Sequence, residues 1–233
     1  MSAKASLLNY TSHGKVKVKE THNYQHVNNQ HVIPLVVHEF SRAGSEMPVV
    51  FVKNTDTGEF QSVAILGLTI GENLFYGEEK WRSNYVPAYV THHPFALMPA
   101  AHDETQLQII IDESSDLVSE EEGQLLFDEQ GNETEYMQKR KNALGLYYEH
   151  THITKAFVNT LNELGLLMEQ SLAMNVNGAQ SQLNGVYLVD EKKLNALSDE
   201  DFLELRKRGF LAPIYAHLGS VHQLHRLAAL KTQ

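Results

Sequence analysis

The chain of 233 residues contains no cysteine. That excludes a disulfide scaffold, zinc thiolates, iron–sulfur clusters and thiol catalysis, and it suits a reducing compartment. Long apolar runs are missing as well. The richest, around residues 63–70 and 33–37, fall far short of the roughly 20 residues that cross a bilayer. The first 25 residues hold no continuous apolar core of a secretory signal, so the expectation is a cytoplasmic protein without membrane insertion, exported if at all by a non-classical route. Basic charge is scarce: 19 Lys and Arg face 29 Asp and Glu, a net charge of −10. The two basic clusters, Lys15, Lys17, Lys19 and Lys139, Arg140, Lys141, are short and poor in aromatic neighbours, so no nucleic-acid partner is expected.

Between Ser83 and Gln138 there is no Lys or Arg at all, against twelve acids. No Asp-x-Asp-x-Asp-Gly loop organises them for calcium, and they read as a solvated surface. A Gly-x-Ser-x-Gly elbow, a Walker loop and a Gly-x-Gly-x-x-Gly fingerprint are also absent. Gly67-Leu-Thr-Ile-Gly71 lacks the closing Gly-Lys-Ser/Thr of a phosphate loop and reads as a strand exit and turn. No cofactor is expected on these grounds.

Histidine, by contrast, is abundant: thirteen residues, five of them within the first 38 positions. His22 and His26, His222 and His225, and His150 and His152 are close pairs, yet none completes a metal-binding pattern. The histidines read as surface or hydrogen-bonded core residues, with no metal site.

The hydrophobic pattern predicts an α+β fold: mainly antiparallel strands and a short helix first, then a long helix and a C-terminal helical group, in one compact domain over 1–233. Apolar runs at 47–52 and 60–70 flank the turn set Asn54 to Gly58 and predict a hairpin. Val32 to Val37 reads as a strand limited to an edge or a start by Pro34, and Leu107 to Ile111 as another strand. A short helix falls between Trp81 and Leu97, with Pro87 suited to its first position. Asn132 and Glu135 form a capping box for the long helix, and Gly165 marks its end. The polar stretch from Asn175 to Asn184 reads as a connection to a strand at 186–189. Asp190 and Ser198 then cap two helices, and a last amphipathic helix runs from about Pro213 to Leu230.

One order of motifs carries further information. Met47-Pro-Val-Val-Phe-Val-Lys53 is followed by Val63-Ala-Ile-Leu-Gly-Leu68, Gly71-Glu-Asn-Leu-Phe-Tyr76, Trp81, Tyr85-Val-Pro-Ala-Tyr89 and Pro94-Phe-Ala-Leu97. Beyond these come Glu122-Gly-Gln-Leu-Leu-Phe127, Leu161-Asn-Glu-Leu-Gly165, Gly185-Val-Tyr-Leu-Val-Asp190 and Tyr215-Ala-His-Leu218. This order resembles the SapC-like family of bacterial proteins and covers nearly the whole chain. The family takes its name from a surface-layer-associated protein, and its members resemble accessories in loci with outer-membrane receptors, halogenase-like flavoproteins and cupin-like proteins. At Thr91-His92-His93 the chain departs from the basic character the family tends to have there.

Within that core, Glu72, Asn73, Tyr76, Trp81, Tyr85 and Tyr89 form an aromatic and amide-rich group. Trp81, Tyr85 and Tyr89 are spaced by four, so a helix would align their rings in one stripe. Such rings offer broad apolar faces with polar tips, the chemistry that holds a sugar, a peptide or an aromatic metabolite. The competing reading is that the stripe packs a helix onto the hairpin, with Glu72 or Asn73 bridging a turn. Three functions follow as expectations. The first is a non-enzymatic binding or accessory protein that uses the aromatic group to hold a small molecule or partner protein. The second is a structural surface-layer component, implied by the family name alone. The third is an enzyme with acid–base groups drawn from Glu72, Tyr85 and His92 or His93. Oligomeric state is not legible in the sequence.

Overall fold

The computed structural model describes residues 4–100 and 103–232. Its strands are β1 (Ala5–Leu7), β2 (Lys17–Val18), β3 (Val32–Pro34), β4 (Val49–Lys53), β5 (Phe60–Ile65), β6 (Tyr76–Gly77), β7 (Lys80–Trp81), β8 (Phe95–Ala100), β9 (Asp103–Asp112), β10 (Val118–Ser119), β11 (Gln124–Leu125), β12 (Leu167–Val176) and β13 (Ala179–Val189). The α-helices are α1 (Tyr10–His13), α2 (Phe40–Gly44), α3 (Ala88–Thr91), α4 (Glu135–Glu163), α5 (Glu191–Asn195), α6 (Asp199–Lys207), α7 (Leu211–Ser220) and α8 (Leu224–Lys231). The fold is α+β. Over the 1–233 span, contacts cluster into two compact units: Met1–His26 with Ala88–Glu149, and Val27–Pro87 with His150–Gln233. Among the described residues no helix is long and apolar enough to cross a membrane.

The first unit holds two small antiparallel sheets, β1-β9-β8 and β10-β2-β11. Apolar residues of these strands, and Leu126 and Phe127 just after β11, meet α4: Val18, Phe95, Ile111, Leu126, Phe127, Met137 and Leu144 form one buried cluster. A set of Ser6, His13 and Glu113 staples β1 to the end of β9. Ser6 Oγ donates to Glu113 Oε1 at 2.5 Å, and His13 Nε2 lies 3.2 Å from both. Serine and acid share one ring nitrogen, so the three do not form a proton relay of the nucleophile–base–acid kind.

The second unit is built on a five-stranded antiparallel sheet in the order β12-β13-β4-β5-β3. The expected 47–70 hairpin is β4–β5, with Asn54 Oδ1 accepting the Asp56 and Thr57 N–H groups in its turn. Phe40, Phe51 and Phe157 are fully buried on one face of the sheet, α2 packs on α7, and α8 packs on β12.

Three local expectations are corrected. The stretch 175–184 is not a connection: β12 and β13 pair from Leu167↔Val189 to Val176↔Ala179, closed by Asn177-Gly178 with φ of 53° and 79°. Asn-Gly is the residue pair such a two-residue turn demands, and the polar outward positions disguised the strands. After Pro34 the chain leaves the sheet, and Val37–Glu39 leads as a 3-10 turn into α2, where a continuing strand was expected. The long helix is capped by Thr134, whose Oγ1 accepts the Met137 N–H at 3.3 Å, while Asn132 is occupied with Asp128. Its end is as expected, with Gly165 at φ 63°.

Candidate functional site

The aromatic segment of the second unit begins where β5 ends. Gly67 lets the loop close on itself: a Cβ there would lie well inside contact distance of the Glu72 carbonyl oxygen and 2.9 Å from its carbon. The loop is drawn tight because Glu72 Oε2 accepts the Leu68 N–H at 3.0 Å and the Leu74 N–H donates to the Leu66 carbonyl at 2.8 Å. Glu72 Oε1 pairs with the Lys231 ammonium at the end of α8. Burial pushes the Glu72 carboxyl up, but the bonds from Lys231 and Leu68 outweigh it and hold it below its ordinary value. Asn73 is buried and fully committed: Nδ2 donates to the Val27 carbonyl at 2.8 Å, and Oδ1 accepts the Phe75 N–H at 2.9 Å. Since the obstruction at Gly67 is backbone, Gly67→Ala is expected to cost about 3 kcal/mol, the upper end for overpacking, measured by denaturant unfolding.

Next comes the β6–β7 hairpin, which pairs Tyr76 with Trp81. The Trp81 indole stacks on Phe75 with centroids 6.1 Å apart and 27° between planes, and its Nε1–H donates to the Tyr85 carbonyl at 2.9 Å. The Tyr85 hydroxyl in turn donates to Glu39 Oε1 at 2.5 Å, while the Arg42 guanidinium lies 5.2 Å from its ring centroid. Burial and the Glu39 carboxylate both raise the phenol's pKa well above its ordinary value. Glu46 accepts from Ser83 and Asn84 at 3.0 Å each and pairs with Arg226. Segment 72–85 is thus stitched by Tyr85 to Glu39 just before α2, by Ser83 and Asn84 to Glu46 just after it, and by Glu72 to α8.

Trp81, Tyr85 and Tyr89 do not share a helical stripe. Trp81 lies in a strand, Tyr85 in the loop before Pro87, and Tyr89 in α3 of the other compact unit, 37% exposed. Pro87 and the short β7 pairing end any helical continuity between them. In the second unit the structure brings together Glu72, Asn73, Tyr76, Trp81 and Tyr85, with Trp81, Tyr76 and Tyr85 half-buried. Glu39, Arg42, Phe75 and Lys231 complete the group. Sequence reasoning missed them because they lie up to 159 positions away from their partners; the only local signal was the opposite charge of the acids and bases.

Chemically, the group holds rings in fixed positions. Its acids are ion-paired or hydrogen-bonded, and the Tyr85 phenol, raised by burial and by the Glu39 carboxylate, is poorly matched to proton transfer near neutral pH. In the first unit, Tyr10, Lys15, Lys17, Leu125 and Phe127 line an open cleft of about 520 Å³ that the sequence did not suggest.

The histidines fall into other arrangements. His38 stacks on His150 at 3.6 Å, and His26 on His93 at 4.0 Å. Among the described residues no three His, Asp or Glu side chains are placed to hold a metal ion.

No curated protein and no solved structure matches the chain. A protein-family model described as SapC matches residues 8–227, a span that contains every strand except β1, the five-stranded sheet included, and the whole 66–85 segment. On that match, the chain belongs to the SapC family.

Proposed function

We propose that this protein is a non-enzymatic binding or accessory protein of the cytoplasm, engaging a small molecule or a partner protein through the aromatic group of its second unit. Trp81, with Tyr76 and Tyr85 beside it, supplies the contact surface, and Glu72 and Asn73 position it. The observation that carries this reading is the way Trp81 is held. The ring is half-buried yet locked on one side by Phe75 and at its N–H by the Tyr85 carbonyl. A large ring immobilised before binding loses little entropy when it meets a partner, which is the property of anchor residues at interfaces. With the Trp81 N–H and the Tyr85 hydroxyl committed inside the fold, the surface favours planar apolar partners: a sugar face, an indole or an aromatic peptide side chain. The surface-layer role implied by the family name finds no specific support in this geometry and is not proposed.

A thermal-shift panel of oligosaccharides, aromatic peptides and indoles tests the reading, run on the wild type and Trp81→Phe, with soluble and envelope fractions assayed for the protein. The expected result is a concentration-dependent stabilisation by one class of probe, roughly 3 kcal/mol at a hundredfold excess over Kd, weakened in Trp81→Phe, with the protein in the soluble fraction. No shift with any class, together with an envelope location, would overturn it.

A further inference from the structure

The first unit contains a strap without regular structure. Lys19 N–H donates to the Leu117 carbonyl at 2.8 Å, and the chain then runs without strand or helix to the single 3-10 turn Gln25–Val27. Within this stretch Tyr24 adopts φ 53°, a left-handed conformation uncommon for a residue other than glycine, asparagine or aspartate. Glu20 reaches Arg140 only at 3.8 Å and is largely exposed. At the far end, just before Val27, a ring holds the strap: His26 lies parallel to His93, centroids 4.0 Å apart and planes 12° from parallel.

The surroundings of that stack are unequal. His93 Nε2 is 2.7 Å from Ser115 Oγ, and Asp112 lies close enough to favour a charge on His93. His26 is bonded to the Val90 backbone, but its Nε2 is buried and has no hydrogen-bond partner. A buried polar atom without a partner is rare in native proteins and calls for a reason. Neighbouring His92 packs edge-on against Tyr147 at 5.0 Å and feels the positive charge of Arg140, whose guanidinium also donates to the Thr91 carbonyl and lies over the Tyr136 ring. The nearby groups other than Asp112 and Glu20 are therefore neutral or cationic.

We propose that the stacked His26–His93 pair is an acid-sensitive latch, which keeps the residue 20–26 strap folded onto its own unit at neutral pH and frees it on acidification. A proton on His26 Nε2 would place a cation in a buried position with no acceptor, and a second on His93 would set two cations face to face. Both costs vanish when the strap opens and the rings enter water. Burial, and then His93, hold His26 down to about 4 in the closed form, against an ordinary value near 6.5. Closure is therefore fully stabilised above pH 6.5 and weakens as pH falls toward 4. At pH 5 the open-to-closed ratio rises about thirtyfold through His26 alone.

Amide hydrogen exchange, corrected for the intrinsic pH dependence of exchange, reads the strap directly. In the full-length wild type, protection of residues 20–26 is expected to fall about thirtyfold between pH 7.5 and pH 5. His26→Phe preserves a flat ring on His93 and removes the His26 proton, leaving only the burial of His93 to respond to acid, so its protection should fall far less than that of the wild type over the same range. Equal protection of the wild type at both pH values, or a His26→Phe variant that follows the wild-type profile, would overturn the proposal. Should His26→Phe open already at pH 7.5 through loss of the Val90 bond, NMR titration of the wild-type His26 ring decides. A midpoint near 4 supports the latch and one near 6.5 refutes it.

Discussion

Replacing His217 by alanine is expected to destabilise the second unit by about 3–5 kcal/mol, because this fully buried imidazole takes the place of a rung in the β-sheet. Strand β13 pairs with β4 only at Val186↔Val52 and Tyr187↔Phe51. Continuing that register would set Val189 opposite Val49. There the ring of His217 from α7 is inserted: its Nδ1 donates to the Val49 carbonyl at 2.7 Å, and its Nε2 accepts the Val189 N–H at 3.0 Å. Ser220 takes the remaining donor, its Oγ accepting the Val49 N–H at 3.0 Å. These partners require the neutral ring with its proton on Nδ1, since a carbonyl can only accept and an N–H only donate. Removing the side chain leaves a buried donor unpaired and a void beside Phe51, 4.9 Å away.

The same geometry fixes a pH dependence. Burial holds His217 down to about 4, partly offset by its bond to Val49. A proton at Nε2 would also meet the Val189 N–H head-on. The folded form thus excludes a proton that the unfolded chain takes up near 6.5, so this contribution is complete above pH 6.5 and lost as pH falls to 4, about 3 kcal/mol in all. Denaturant unfolding of the wild type and His217→Ala from pH 7.5 to 4 should show the variant less stable at neutral pH and the difference narrowing with acid. A loss below 1 kcal/mol, or parallel pH profiles, would show that the rung is not what joins β4, β13 and α7.

Phe157→Ala carries a comparable expected cost, about 3–5 kcal/mol. Phe157 is the ring through which α4 meets the sheet: it lies edge-on to Phe40 at 5.8 Å and to Phe210 at 5.1 Å, and tilted to Phe51 at 6.3 Å. Truncation opens a cavity bordered by three rings from three separate stretches of chain, which cannot all move inward together. Phe157→Leu, which refills most of the volume, should recover roughly half of the loss. Equal costs for the two variants in urea unfolding would mean that the site collapses freely.

What the sequence made legible follows the range of the interactions involved. The β4–β5 hairpin, the two helix caps at Asp190 and Ser198 and the glycine at the end of α4 all declare themselves within a few residues, through turn chemistry and capping. The β12–β13 hairpin declared itself too, in Asn177-Gly178, but strands whose outward face is Ser171, Asn175, Gln180, Gln182 and Asn184 look like a linker when only polarity is read. The role of His217 was beyond local reading, because its two backbone partners lie 168 and 28 positions away. The aromatic group was recognised by composition, whereas its arrangement was not. The four-residue spacing of Trp81, Tyr85 and Tyr89 suggested a helix that the β6–β7 pairing overrides, and the partner of the Tyr85 hydroxyl, Glu39, precedes it by 46 residues.

The central claim is that the immobilised Trp81 surface is there to be covered by a partner. Trp81 is the chain's one tryptophan, so its fluorescence reports on this position alone. Acrylamide quenching of Trp81, measured while an oligosaccharide, a phenylalanine-containing peptide and benzyl alcohol, none of which emits with tryptophan, are titrated in separately, tests that claim most directly. The account predicts partial quenching in the free protein and a saturable fall in quenching with one class of probe; quenching unchanged by all three would contradict it.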